Sequence, residues 1–164
     1  MSNRPPKKLE DVTASAPSRF LLFSTFLGLL TIFSYVSLQS RSSGLFVQTP
    51  RQTLRVEVAD TPEERRVGLS GRQLLAENKG MLFVFEEGGA TCFWMKDTYI
   101  SLDMIWMDEN KQVVYIYEHA TPESEKPICP NQRATFVLEV NGGSARQYGI
   151  EKGTSLKYKK SPLE

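Results

Sequence analysis

Residues 20–38 read FLLFSTFLGLLTIFSYVSL, nineteen consecutive residues without a charge. As a helix this run extends roughly 28 Å, close to the roughly 30 Å hydrocarbon core of a bilayer. Its polar side chains are Ser, Thr and one Tyr near the outer end, and Ser and Thr are tolerated in lipid because they bond back to the helix. A buried core helix fits poorly, since the run has no polar face and follows a polar, proline-containing tail. Arg4, Lys7, Lys8 and Arg19 precede it, and only Arg41 and Arg51 follow nearby. Glu10 and Asp11 count little in the positive-inside rule, so the N-terminus is expected in the cytoplasm and the C-terminal domain outside it, in the periplasm if the source is bacterial. A cleaved signal peptide has a shorter apolar region and ends at an A-x-A-like site, which favours a retained signal anchor here. The expected organisation is a cytoplasmic tail at 1–19, a single transmembrane helix at 20–38, a polar linker at 39–52 and a folded domain at 53–160.

Charge divides along the same line. Residues 1–52 carry six Lys/Arg against two Asp/Glu, net +4, whereas residues 53–164 carry fourteen against seventeen, net −3. A slightly acidic domain repels phosphate backbones, and no basic patch with interleaved aromatics lies beyond residue 52, so nucleic acid is not an expected partner.

Within the domain, residues 53–59 (TLRVEVA) alternate Leu54, Val56 and Val58 with Arg55 and Glu57, the pattern of a half-buried strand. Thr61-Pro62 with Glu64 is a helix start: a hydroxyl cap, proline at the first helical position and glutamate at the third. That helix is expected to reach Leu69 and stop at Gly71. Further strands are expected at 80–86, 91–96, 102–108, 112–118 and 134–140, all rich in aromatic and β-branched residues. A turn at 108–111 joins two of them, Pro122, Pro127 and Pro130 mark a loop over 119–133, and a short helix near 143–149 precedes a last strand at 154–158. The fold class is mainly β with one or two short helices, a small, partly closed barrel-like sheet.

The string VADTPEERRVGLSGR, then GMLFVF, then FWMKDT and ISLDMIW, then VLEVNGG and ARQYGIEKGT resembles the DUF192 family, a domain of unknown function, over residues 54–158. The resemblance implies a compact β fold and no assigned reaction or cofactor. Two positions depart from the family's pattern: Asp97 where asparagine is usual, and Ser101 where proline is common.

The run TCFWMKDTYISLDMIW concentrates charge among large apolar side chains, where an unpaired charge is costly. Strand alternation would put Cys92, Trp94 and Lys96 on one face. Two readings follow: a ligand pocket floored by Trp94 with Lys96 gripping an anionic or carbonyl group, or an ion pair of Lys96 with Asp103 or Glu139 that closes the sheet. Asp97, Asp103, Arg72 and Glu139 are further ligand-binding candidates, while Arg65 and Arg66 read as helix-surface ion-pair partners of Glu63 and Glu64. Cys92 and Cys129, 37 residues apart, are disulfide candidates in an oxidising compartment. Met81, Met95, Met104, Met107, His119, Cys92 and Cys129 form a soft-ligand set, but methionine is also core filler and no zinc spacing exists, so no metal is assigned. His119, the single histidine, could serve a Ser-His-Asp or Cys129–His119 arrangement, yet no G-x-S-x-G string accompanies it. The sequence therefore describes a membrane-anchored extracytoplasmic module for a small ligand, an envelope component or an envelope protein. A hydrolase using Lys96, Asp97, Asp103 or His119, and a scaffolding subunit, are the alternatives.

Overall fold

The structure, a computed structural model, describes residues 44–159 apart from 87, 88, 90 and 91. The apolar run at 20–38 lies outside the described residues. Among the described residues no helix is long and apolar enough to cross a membrane. The elements are β1 (Leu45–Gln48), β2 (Thr53–Ala59), α1 (Pro62–Val67), β3 (Lys79–Val84), β4 (Leu102–Met107), β5 (Val113–Ala120), β6 (Phe136–Asn141), α2 (Ser144–Gln147) and β7 (Lys157–Lys159). The strands form one seven-stranded sheet in the order β5-β4-β6-β3-β2-β1-β7, curled into a half-barrel. Every neighbouring pair is antiparallel except β2 and β3. A parallel pair needs a crossover, and α1 with residues 68–78 supplies it.

The start of α1 follows the sequence. The Glu64 N–H donates to Thr61 Oγ1 at 3.2 Å, and the Thr61 N–H donates back to Glu64 Oε2 at 3.1 Å, so two helix-end donors are satisfied reciprocally. The end comes earlier than expected. Gly68 at φ 50 is the C-cap, and a Cβ there would stand 3.1 Å from Phe83 Cζ. Left-handed backbone with no side chain lets the chain drop onto the sheet at that point. Gly71, at φ 76, acts differently. Its N–H donates to the Asp97 carbonyl at 2.8 Å and ties the crossover to the 92–98 segment.

Strands β3, β4 and β6 lie in the middle of the sheet and are covered on both faces, which explains their nearly continuous apolar runs. One face carries Leu54, Val56, Leu82, Ile105, Leu138 and Val140, packed under Ala145 and Tyr148 of the α2 region. The other carries Met81, Phe83, Met104, Trp106 and Val137, packed under Leu69 and Leu75 of the crossover and Met95. Phe93 meets Phe83 and Trp106 edge-on, with ring centroids 5.1 and 5.7 Å apart, the geometry aromatic quadrupoles favour.

Two expected segments differ. The linker reading of 39–52 gives way to strand at 45–48: Val47 is fully buried and pairs with Leu54 and Tyr158, while Pro50 sits in the turn to β2. Pro50 thus marks a hairpin turn, and residues 39–43 lie outside the described residues. Residues 92–96 are not a sheet strand. Their Phe93 makes only an isolated bridge to Ile128, Met95 N–H donates to the Ser124 carbonyl, and the chain turns left-handed at Asp97, φ 54. The segment is a strap bound to the 121–130 loop. Cys92 and Cys129 fasten the two together with an S–S bond of 2.05 Å.

Candidate functional site

Alternation in β6 puts Leu138 and Val140 on one face and Val137 and Glu139 on the other. Glu139 is therefore a carboxyl in the middle of an apolar face, only 4 % exposed. Its cross-strand neighbours are Met81 on β3 and Met104 on β4, neither of which offers a strong hydrogen bond. Among the described residues no hydrogen bond or ion pair reaches its side chain, and burial alone pushes its carboxyl up to about 8. A buried polar group without a partner is rare, and it opens here onto a cavity.

That cavity, of about 790 Å³, lies between α1, its C-terminal turn, the 92–98 strap and the sheet. Phe83, Phe85, Phe93 and Trp94 provide apolar walls; Ser70, Thr98, Lys96 and Asp97 provide polar groups. Arg65 belongs to the wall but is committed: it donates to the carbonyls of Asp60 and Val84 and stacks over Phe85 at 5.3 Å. Arg66 pairs with Glu63 at 2.5 Å, the expected helix-surface pair. Lys96 is half-exposed and 3.8 Å from Glu125, an exposed and loose partner. Trp94 is 58 % exposed at the rim, an apolar surface of the kind that meets a ligand rather than a core. Size, aromatic walls and few polar groups match a small-molecule site.

Of the six ligand candidates, the structure brings four together: Trp94, Lys96, Asp97 and Glu139 line this cavity. Two belong elsewhere. Arg72 pairs with Glu57 at 2.6 Å over a separate surface groove, because the chain turns away at Gly71. Asp103 is fully buried on the opposite face of the sheet. Its Oδ1 accepts the backbone N–H groups of His119 at 2.8 Å and Gly143 at 3.0 Å, and its Oδ2 accepts that of Ala145 at 2.8 Å. It is a structural acceptor that holds the start of α2 against the sheet. The expected ion pair of Lys96 with Asp103 or Glu139 is replaced by the pair with Glu125. The same geometry weakens the relay readings: Asp103 meets His119 through its backbone, and Cys129 is oxidised. Met81, Met95, Met104 and Met107 are buried core residues distributed over both faces of the sheet.

Sequence reasoning missed Phe83, Phe85 and Thr98 as site residues. Nothing in a strand-like run separates a wall of a cavity from a core. The lone glutamate in ATFVLEV was the available signal, since a single acid in an apolar strand buried on both faces has to face something.

Residues 45–158 match the family described as Uncharacterized ACR. The chain belongs to the DUF192 family. Two solved structures resemble this DUF192 domain. One is a protein of unknown function from Novosphingobium aromaticivorans DSM 12444, 33% identical, with a TM-score of 0.65, covering 70% of this chain and 83% of that one. The other is described as a putative transcription regulator from Sinorhizobium meliloti 1021, 35% identical, with a TM-score of 0.66, covering 70% of this chain and 92% of that one. No curated protein matches.

Proposed function

We propose that this DUF192 protein is a small-ligand binding module, held outside the cytoplasm by its N-terminal apolar run. The cavity between α1, the strap and β6 is the binding site. One observation carries the reading: Glu139 is buried, unpartnered among the described residues and opens into a cavity walled by aromatic rings. Such a carboxyl weakens the fold, and a protein tolerates that cost where a site needs the group. Trp94 and Lys96 complete the site at its mouth.

The test is ligand-observed and protein-observed NMR of the detergent-solubilised protein against a small-molecule library. Hits should shift the Trp94 indole and the backbone of 68–71 and 96–98, and Trp94→Ala, which removes an aromatic contact at the rim, should weaken them by about 1 kcal/mol, roughly fivefold. A library that leaves all of these signals unmoved sinks the binding reading.

The tether rests on separate supports: the nineteen uncharged residues at 20–38, the cationic bias before them, and a disulfide of the sort that persists in oxidising compartments. Catalysis draws no comparable support from the groups at the cavity.

A further inference from the structure

The cavity is chemically graded from floor to mouth. At the floor, Glu139 stands between Met81 and Met104. Phe83 is buried and Phe93 half-buried along the wall, and Trp94 and Lys96 are exposed at the rim. Resting on the binding reading above, we infer that the ligand is an organic anion with an apolar body. Its inner end carries an uncharged carbonyl that accepts a hydrogen bond from the Glu139 carboxylic acid, and its outer end carries a carboxylate that meets Lys96.

The inner end follows from the burial of Glu139 between Met81 and Met104. A second charge placed beside Glu139 would need its own compensation. The cationic groups at the cavity stand on other elements: Arg65 and Arg66 on α1 and Lys96 on the strap. Strands β3 and β4 present only methionine beside Glu139. Arg65 is bound to the carbonyls of Asp60 and Val84, and Arg66 is largely exposed on α1 beside Glu63. A neutral acid is a donor, and its complement is a carbonyl oxygen. The outer end follows from the looseness of the Lys96–Glu125 pair at 3.8 Å. A ligand carboxylate can take the ammonium from Glu125 at little expense, because an exposed pair is weak. Asp97, the other ionised group on the strap, faces the same mouth and repels an anion. The preference for the carboxylate is therefore expected to be modest. N-acylated amino acids with an apolar side chain carry these three groups, an uncharged carbonyl, an apolar group and a carboxylate, on one small scaffold.

Three matched probes test it on the full chain in detergent: N-acetylphenylalanine, N-acetylphenylalaninamide and 2-phenylethylamine. N-acetylphenylalanine should shift the Trp94 indole and bind more tightly than the amide, and Lys96→Gln should abolish that difference. Ionisation of Glu139 removes the donor, so its Kd should rise about tenfold between pH 7 and pH 9. Glu139→Gln keeps a donor of the same shape and should bind at both pH values without that rise. Glu139→Met, which matches its neighbours in shape, should bind poorly at either pH. Thermal unfolding of each variant identifies any that has lost its fold. Tighter binding of 2-phenylethylamine than of either acetylated probe overturns the ligand class and leaves the cavity reading intact. Silence from all three probes at millimolar concentration overturns the ligand class, and the cavity reading falls with it only where the small-molecule library is silent as well.

Discussion

Glu139 keeps its proton in the folded protein to about pH 8, whereas the same group unfolded releases it near 4.5. Between those values the folded state holds one proton more than the unfolded state, so stability falls as pH rises and levels off above about 8. Glu139→Gln removes the titration. The variant should be more stable than the parent at pH 8, on the order of 3–5 kcal/mol, with the gap closing toward pH 4. Urea unfolding at a series of pH values checks this, and equal slopes against pH for the two proteins would refute it. Asp103 is the opposite case, a buried acid whose acceptor capacity is used by three N–H groups. Asp103→Ala strands those donors and should cost about 3–5 kcal/mol in urea unfolding, leaving probe affinity at the cavity unchanged in whatever folded fraction remains. Both acids stand out in the sequence as single charges in apolar strands. The sequence does not say which is satisfied, because that depends on which face each occupies and what backbone arrives there from elsewhere. Asp103 faces the α2 start some forty positions downstream, a neighbour that no local pattern reveals.

Elements are most legible where a local rule governs them. β2 spans 53–59 as expected, with Leu54 and Val56 buried and Val58 half-buried, α1 begins at its capping box, and the 108–111 turn closes as expected, with Asp108 Oδ1 accepting the N–H groups of Asn110 and Gln112 at 2.9 Å. Thr61→Ala should therefore cost about 1 kcal/mol and fray α1 by hydrogen exchange. Legibility fails where partners are distant. β1 is hidden because Gly44 and Pro50 flank it, and its pairing with β7 lies at the far end of the chain. The strap mimics a strand because Phe93 and Met95 turn inward and Trp94 and Lys96 outward, so side-chain alternation persists without a ladder. Asp97 clarifies one departure from the family pattern: its φ of 54 falls in the left-handed region that asparagine and aspartate tolerate best. The substitution preserves the turn and places a charge at the mouth of the cavity. The strap's attachment is also testable. Breaking the Cys92–Cys129 bridge with serine at both positions should lower stability by about 3–4 kcal/mol. Faster exchange should concentrate in 92–98 and 121–130.

At the scale of the whole molecule, fold class and family are legible from the density of short apolar runs and the order of four sequence blocks, and residues 45–158 bear out the family. The cavity is not legible as a volume, since it arises only where the crossover and the strap lie over the same sheet face. The proposed topology is a property of the entire chain and needs a whole-chain measurement. Alkaline phosphatase fused after residue 52 in a bacterial host should be active; an inactive fusion at that position would place the domain in the cytoplasm.

The pairing of Phe46 with Lys159 brings the first and last strands of the domain side by side. A short peptide joining those ends and a new opening at the 108–111 turn should yield a circular permutant that folds to the same sheet. The domain can equally be inserted as a cassette into a surface loop of a host protein. Both operations relocate the termini while leaving the interior of the half-barrel undisturbed.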